Sequence, residues 1–225
     1  MDTTFELIRV MRGAAKGNKD DFRKLFRVIA DDMYFQVVLV VCDPVETDRV
    51  MKDLFSYIYR NALLIENPEN AAEWINTVIT QRTTSWLKVN RAAMIAADKK
   101  ELYPVPTGPD AYLPGNEIED EDFNRIMIEA VCNMPEVIRQ TALAFYFDDL
   151  PMEVIIDSTD VDKSLIKRRC QFVERTCSFK VQDFCKANRL GMREVNSQRV
   201  RQVLKEMAGY YKYPSTEEVI VQVLS

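Results

Sequence analysis

Apolar positions recur at helical spacing along nearly the whole chain. Phe5, Leu7, Ile8 and Met11 open a short helix, and Phe22, Leu25, Phe26, Ile29, Met33, Val37, Val40 and Val41 supply one face of a long one. Gly17-Asn18 breaks the chain between them, and Asp20 or Asp21 is placed to start the second helix. Asp43-Pro44 begins a third helix, continued by Val50, Met51, Leu54, Phe55, Ile58 and Tyr59. Its early carboxylates Glu46 and Asp48 suit the positive end of a helix dipole. The short link predicts antiparallel packing of these two helices. Residues 63–72 read as a polar loop before a helix that carries Trp74, Ile75 and Ile79.

The stretch 134–175 has the most structured pattern. Pro135 suits a first helical turn, and Ile138, Ala142, Phe145 and Tyr146 share one face. Asp148-Asp149-Leu150-Pro151 stops that helix, Pro151 restarts a short one with Val154 and Ile155, and residues 159–161 make a tight connection. Asp162 is a good N-cap for a further helix. Along it Ile166, Cys170, Val173 and Cys177 fall at i, i+4, i+7 and i+11, which is a single buried stripe. Ser164, Lys167, Arg168 and Gln171 occupy another face. A short helix, a tight turn and a longer helix with a basic, amide-bearing outer face is the pattern of a helix-turn-helix. A basic face of this kind also suits simple solvation.

After residue 180, Val200, Val203, Leu204, Met207 and Tyr211 keep helical spacing, and Ser215-Thr216-Glu217-Glu218 reads as a capping-box start for Val219, Ile220, Val223 and Leu224. With six glycines and nine prolines in 225 residues, β-turn punctuation is sparse. The chain therefore reads as all-α. An N-terminal helical bundle covers 1–92, an acidic linker containing Pro and Gly covers 93–124, a C-terminal helix-turn-helix unit covers 125–180, and a helical extension covers 181–225.

Composition narrows the function. A net charge of −5 is wrong for a protein that coats nucleic acid by bulk charge. The charge is uneven, however: residues 163–180 hold six basic side chains against one acidic, and residues 98–122 hold eight acidic against two basic. The absence of histidine removes the commonest general base and metal ligand. No nucleophile–base set or glycine-rich phosphate loop is legible, so no enzyme, metal or cofactor is expected. Five cysteines without a C-x-x-C pair point to reduced thiols and a cytoplasmic protein, and no apolar run is long enough to span a membrane.

The residues of 134–175 resemble the promoter-binding C-terminal region of bacterial RNA polymerase sigma factors, of the small extracytoplasmic-function type. Met134-Pro135 and Arg139 stand at the family's L-P-x-x-x-R, Tyr146 at its following aromatic, and 153–156 at its acidic-aliphatic run. Val161-Asp162 with 166–169 stands at its last block, and Asp160 replaces a turn glycine. Residues 17–26 and 43–55 are similar to the family's N-terminal domain, with Arg49 in place of an acidic residue and Lys52 in place of a glutamine.

The resemblance implies a non-catalytic initiation factor with core RNA polymerase, promoter DNA and an anti-sigma or other regulatory protein as partners. It implies upstream DNA contacts from Lys163, Ser164, Lys167, Arg168, Arg169 and Gln171. Downstream contacts would come from Asn67, Asn70, Gln81, Arg82, Thr84, Trp86 and Lys88, and polymerase contacts from Asp48, Arg49, Val50, Lys52, Asp53 and Phe55. The alternatives are a sigma-derived regulator that binds DNA alone, for which Arg49 and Lys52 speak, and a helical polymerase-binding adaptor or inhibitor.

Overall fold

The computed structural model describes residues 3–65, 67–94 and 116–225, and the described residues are helical with no β-strand. Most of the expected linker, residues 95–115, lies outside the described residues. Helix α1 (Thr3–Ala14) turns at Gly17, whose φ of +79° a side chain would strain, into α2 (Lys19–Val41). The α2 cap is Asn18, not Asp20 or Asp21: its side chain accepts from the backbone N–H of both aspartates. Helix α3 (Pro44–Asn61) starts at Asp43-Pro44 as expected, and Asp43 is its N-cap. The loop after α3 contains two 3-10 turns, Ala62–Leu64 and Pro68–Asn70, before α4 (Ala71–Met94).

Helix α2 is the hub of the molecule. All seven residues from Phe35 to Val41 are buried, so this end is enclosed on every side. Phe22, Phe26, Met33 and Val37 face a core made with α1, α3 and α4. Phe35, Val38, Leu39 and Val40 face a second core, made with α5 (Asp120–Cys132), α6 (Glu136–Ala142), α7 (Met152–Thr159), α8 (Lys163–Asn188) and α9 (Ser197–Ala208). Trp86 of α4 and Tyr34 of α2 touch both.

Two buried polar side chains lock these cores together. Arg139 of α6 has no solvent exposure, and its guanidinium donates to the carbonyls of Cys132 (2.8 Å) and Met134 (2.6 Å) at the end of α5. It also reaches the Val40 carbonyl (3.5 Å) and the Cys42 Sγ (2.9 Å) at the end of α2. A cation thus meets the negative ends of two helices, where their carbonyls lack partners. Gln140, next along α6, donates to the carbonyl of Thr80 (3.1 Å) and the hydroxyls of Thr83 (3.0 Å) and Thr84 (2.7 Å) on α4.

The C-terminal extension divides between the cores. Val200, Val203, Leu204, Met207 and Tyr211 join the second core. Tyr213 and, from α10 (Thr216–Leu224), Val219, Ile220 and Leu224 join the first. Ser215 occupies the N-cap position of α10 without a capping side-chain bond; instead the Thr216 hydroxyl donates to the Tyr213 carbonyl (2.9 Å). Across this seam Arg27 makes a two-pronged pair with Glu217 (2.6 and 3.0 Å), and Lys212 pairs with Asp31 (2.7 Å).

Candidate nucleic-acid interface

The turn between α7 and α8 is built by three local devices. Asp160 adopts the left-handed conformation at φ +59°, and its N–H closes α7 on the Ile156 carbonyl (2.9 Å). The Thr159 hydroxyl donates back to the Ile155 carbonyl (2.7 Å). Asp162 caps α8 by accepting from the Leu165 N–H (3.0 Å). Below the turn Ile155 and Ile166 are wholly buried, which fixes how α8 leaves it.

The inner face of α8 is the expected stripe of Ile166, Cys170, Val173 and Cys177, and it runs on through Val181 and Cys185. Burial pushes the Cys170 thiol up to about 11 and the Cys177 thiol up to about 12, so both pack as neutral groups. Tyr146 fastens the helix by donating to the Cys170 carbonyl (3.2 Å) and to Glu174 Oε1 (2.9 Å). Burial, the nearby Cys170 and the bond to Glu174 raise the phenol above its ordinary range, so it stays a donor. Glu174 also accepts from the Ser197 hydroxyl. The single acidic residue among 163–180 is therefore turned to the body of the protein.

The outer face presents Lys163, Ser164, Lys167, Arg168 and Gln171, all exposed. Lys163 stands 3.8 Å from Glu153 at the surface, while Lys167, Arg168 and Gln171 have no partner among the described residues. Arg169 faces elsewhere: it donates to the Thr141 hydroxyl (3.1 Å) and the Val137 carbonyl (3.4 Å), tying α8 to α6. These bonds turn its guanidinium away from the outer face that carries the rest of the expected DNA set. The exposed face continues beyond those residues through Phe172, Arg175, Phe179 and Lys180.

The residues expected to contact downstream DNA are not gathered into one site. Asn67 caps the Pro68–Asn70 turn by accepting from the Glu69 N–H (3.1 Å), and Asn70 is exposed beside it. Gln81 is exposed on α4, and the Arg82 guanidinium lies 3.9 Å over the Tyr57 ring and 3.5 Å from Asp53. Thr84 is buried under Gln140, and Trp86 is half-buried with its indole N–H aimed at Glu46 (3.4 Å). Lys88 pairs with Asp160 (3.8 Å) beside the helix-turn-helix. Thr84 and Trp86 are turned into the protein here, so neither is available to a base.

The expected polymerase set on α3 also splits. Phe55 has no exposure, with its ring against Phe26 (4.6 Å) and Tyr213 (6.1 Å), and Val50 is buried. These two are core residues; helical periodicity alone could not tell a core face from a docking face. Arg49 is 77% exposed and pairs with Glu46 (3.2 Å), and Asp53 is exposed. Asp48 takes hydrogen bonds from Lys52 (2.6 Å) and the Tyr213 hydroxyl (2.7 Å). Partial burial works to raise its pKa, but those two bonds and the lysine charge outweigh it and hold the carboxyl below its ordinary value.

No protein-family model matches the chain, and no curated protein matches it in sequence. Among the described residues no helix is long and apolar enough to cross a membrane.

Proposed function

We propose that the chain is a sigma-type initiation factor of the bacterial cytoplasm. In this reading α7 and α8 hold duplex promoter DNA, the N-terminal unit engages core RNA polymerase, and the polymerase performs the chemistry. The observation that carries it is the outer face at the start of α8, where exposed cations and an amide stand on a helix presented by a left-handed turn. Lys167 or Arg168 over a guanine and Gln171 over an adenine would each contribute about 1–3 kcal/mol of base discrimination. Lys163 and Ser164 suit phosphate, which sets register.

The test is binding of labelled promoter duplexes by the full chain, alone and with core polymerase. Lys167→Ala and Arg168→Ala should each weaken the specific complex by about 5- to 150-fold, the factor that about 1–3 kcal/mol implies. Unchanged affinity in both variants would return the basic face to solvation. Polymerase binding is best tested by co-purification of Arg49→Ala and Asp53→Ala, since Phe55→Ala would remove core packing.

A second reading, a sigma-derived regulator that binds duplex DNA without polymerase, is favoured by one specific observation. On α3 the side chains of Val50 and Phe55 are internal, and Asp48 is occupied by Tyr213 and Lys52. Duplex binding without polymerase capture would select it.

A further inference from the structure

Helix α8 is 26 residues long, far more than a helix needs to place its first turns in a groove. Beyond Gln171 its solvent face carries Phe172 and Phe179, 47% and 62% exposed. Residues seven apart fall on one helical face, about 10 Å apart along the axis. Arg168 lies four residues before Phe172, and Arg175 lies three after it and four before Phe179. Neighbours at these spacings adjoin on a helix surface. The result is one stripe reading Arg168, Phe172, Arg175, Phe179, with Ser164 at its start. Among the described residues neither ring packs on another aromatic, and neither arginine pairs with a carboxylate or covers a ring.

Nothing in the fold requires two exposed phenylalanines here. The other large exposed apolar side chains, such as Val45, Leu64 and Val89, are scattered over other elements. A second copy of the chain is a poor occupant, because two such stripes would gather four arginines with no carboxylate on either face to offset them. With Glu174 turned inward, the face between Ser164 and Lys180 offers only cations, small polar groups and rings. Exposed rings alternating with cations match a polyanion with free aromatic faces: unstacked bases for the rings, phosphates for the arginines.

We infer that this stripe takes the single-stranded DNA that continues from the duplex held at the start of α8. The inference rests on the proposed duplex reading, since one helix carries both surfaces and they adjoin along it. Phe172 and Phe179 each stack one base, and Arg175 holds the phosphate between them, while Arg168 remains with the duplex. All three side chains are at the surface, so their replacement leaves both cores intact.

The test compares, by fluorescence anisotropy with the full chain, a promoter duplex, the same duplex with a ten-nucleotide single-stranded DNA extension at either end, and the same duplex with RNA extensions. One DNA-extended duplex should bind at least about 25-fold tighter than the blunt one, from two stacked bases at about 5-fold or more each. Phe172→Ala and Phe179→Ala should each remove about 5- to 100-fold of that gain, while blunt-duplex affinity changes less than 2-fold. Arg175→Ala should weaken the extended duplex and flatten its salt dependence. A blunt duplex that binds while extensions add nothing, or phenylalanine variants that keep the full gain, overturns the inference and leaves the duplex reading standing. A gain from RNA extensions alone also overturns it. No binding to any duplex overturns both.

Discussion

Arg139 shows how much of this molecule rests on single side chains. Its guanidinium is wholly buried and is shared among carbonyls from α5 and α2, with Glu136 3.5 Å away. Truncating such a group leaves buried carbonyls without their donor, so Arg139→Ala should cost about 3–5 kcal/mol, measured as a fall in urea midpoint at unchanged slope. A loss below about 1 kcal/mol would mean that water replaces the guanidinium. Asp148 poses the opposite problem. It lines a cleft of about 400 Å³ with Asp32, Gln36, Asn76 and Lys205; its Oδ1 accepts from Gln36 (2.9 Å), but its Oδ2 is buried without a partner. Burial and the Asp32 charge push its pKa well above 3.8, against the pull of Gln36. The folded state thus holds this proton more tightly than the unfolded state. Its contribution to stability is full below about pH 3.8 and is lost as pH rises through the folded pKa. Asp148→Asn should therefore be more stable than wild type at pH 7, by on the order of 1–3 kcal/mol, with the gap closing toward pH 3. A gap that stays constant with pH would show that Asp148 does not titrate as described.

The helix-turn-helix tests the same physics at the level of an element. Asp160 sits at φ +59°, where a β-branched side chain clashes and glycine is free. Asp160→Val should destabilise by about 1–2 kcal/mol, whereas Asp160→Gly should be near neutral, both read from thermal midpoints. Equal effects would mean that the turn is not held left-handed. This turn was legible in the sequence because its causes are local: Asp160 at a turn position, the Asp162 cap and the stripe Ile166, Cys170 and Val173 all lie between residues 160 and 173. The start of α3 at Asp43-Pro44 was legible for that reason too. Arg169 and Thr84 were not, because what they touch lies 28 and 56 residues away. Phe55 marks a different limit, since an apolar helical face reads the same whether it meets a core or a partner. The run from Phe35 to Val41 did carry a signal of two-sided burial. It lies in Val37 to Val41, five consecutive aliphatic residues after Gln36, where a one-sided helix would alternate.

For the whole molecule the question is whether the two cores behave as one. They share α2, they are joined by Arg139 and Gln140, and the C-terminal extension contributes α9 to one and α10 to the other. Cores that share a buried helix cannot lose one without exposing its other face to water. The chain should therefore unfold in urea as a single transition, with helix content by circular dichroism and tryptophan emission from Trp74 and Trp86 falling at the same midpoint. Ile220 gives the sharper form of this expectation. It is almost wholly buried, it lies near the end of the chain, and it packs in the core of α1 to α4. Ile220→Ala should cost about 2–5 kcal/mol and shift both signals together, because a cavity under α10 weakens the core that α2 shares with the rest. If the tryptophan signal shifts and a helical fraction unfolds at its original midpoint, the α5 to α9 core is stable alone and α2 is not a shared element. The same experiment separates attachment from integration for the extension. An appended segment would fray without moving either midpoint, whereas one that completes the N-terminal core moves both, since its removal uncovers Phe55, Tyr34 and the rest of the surface that Tyr213 and α10 now close.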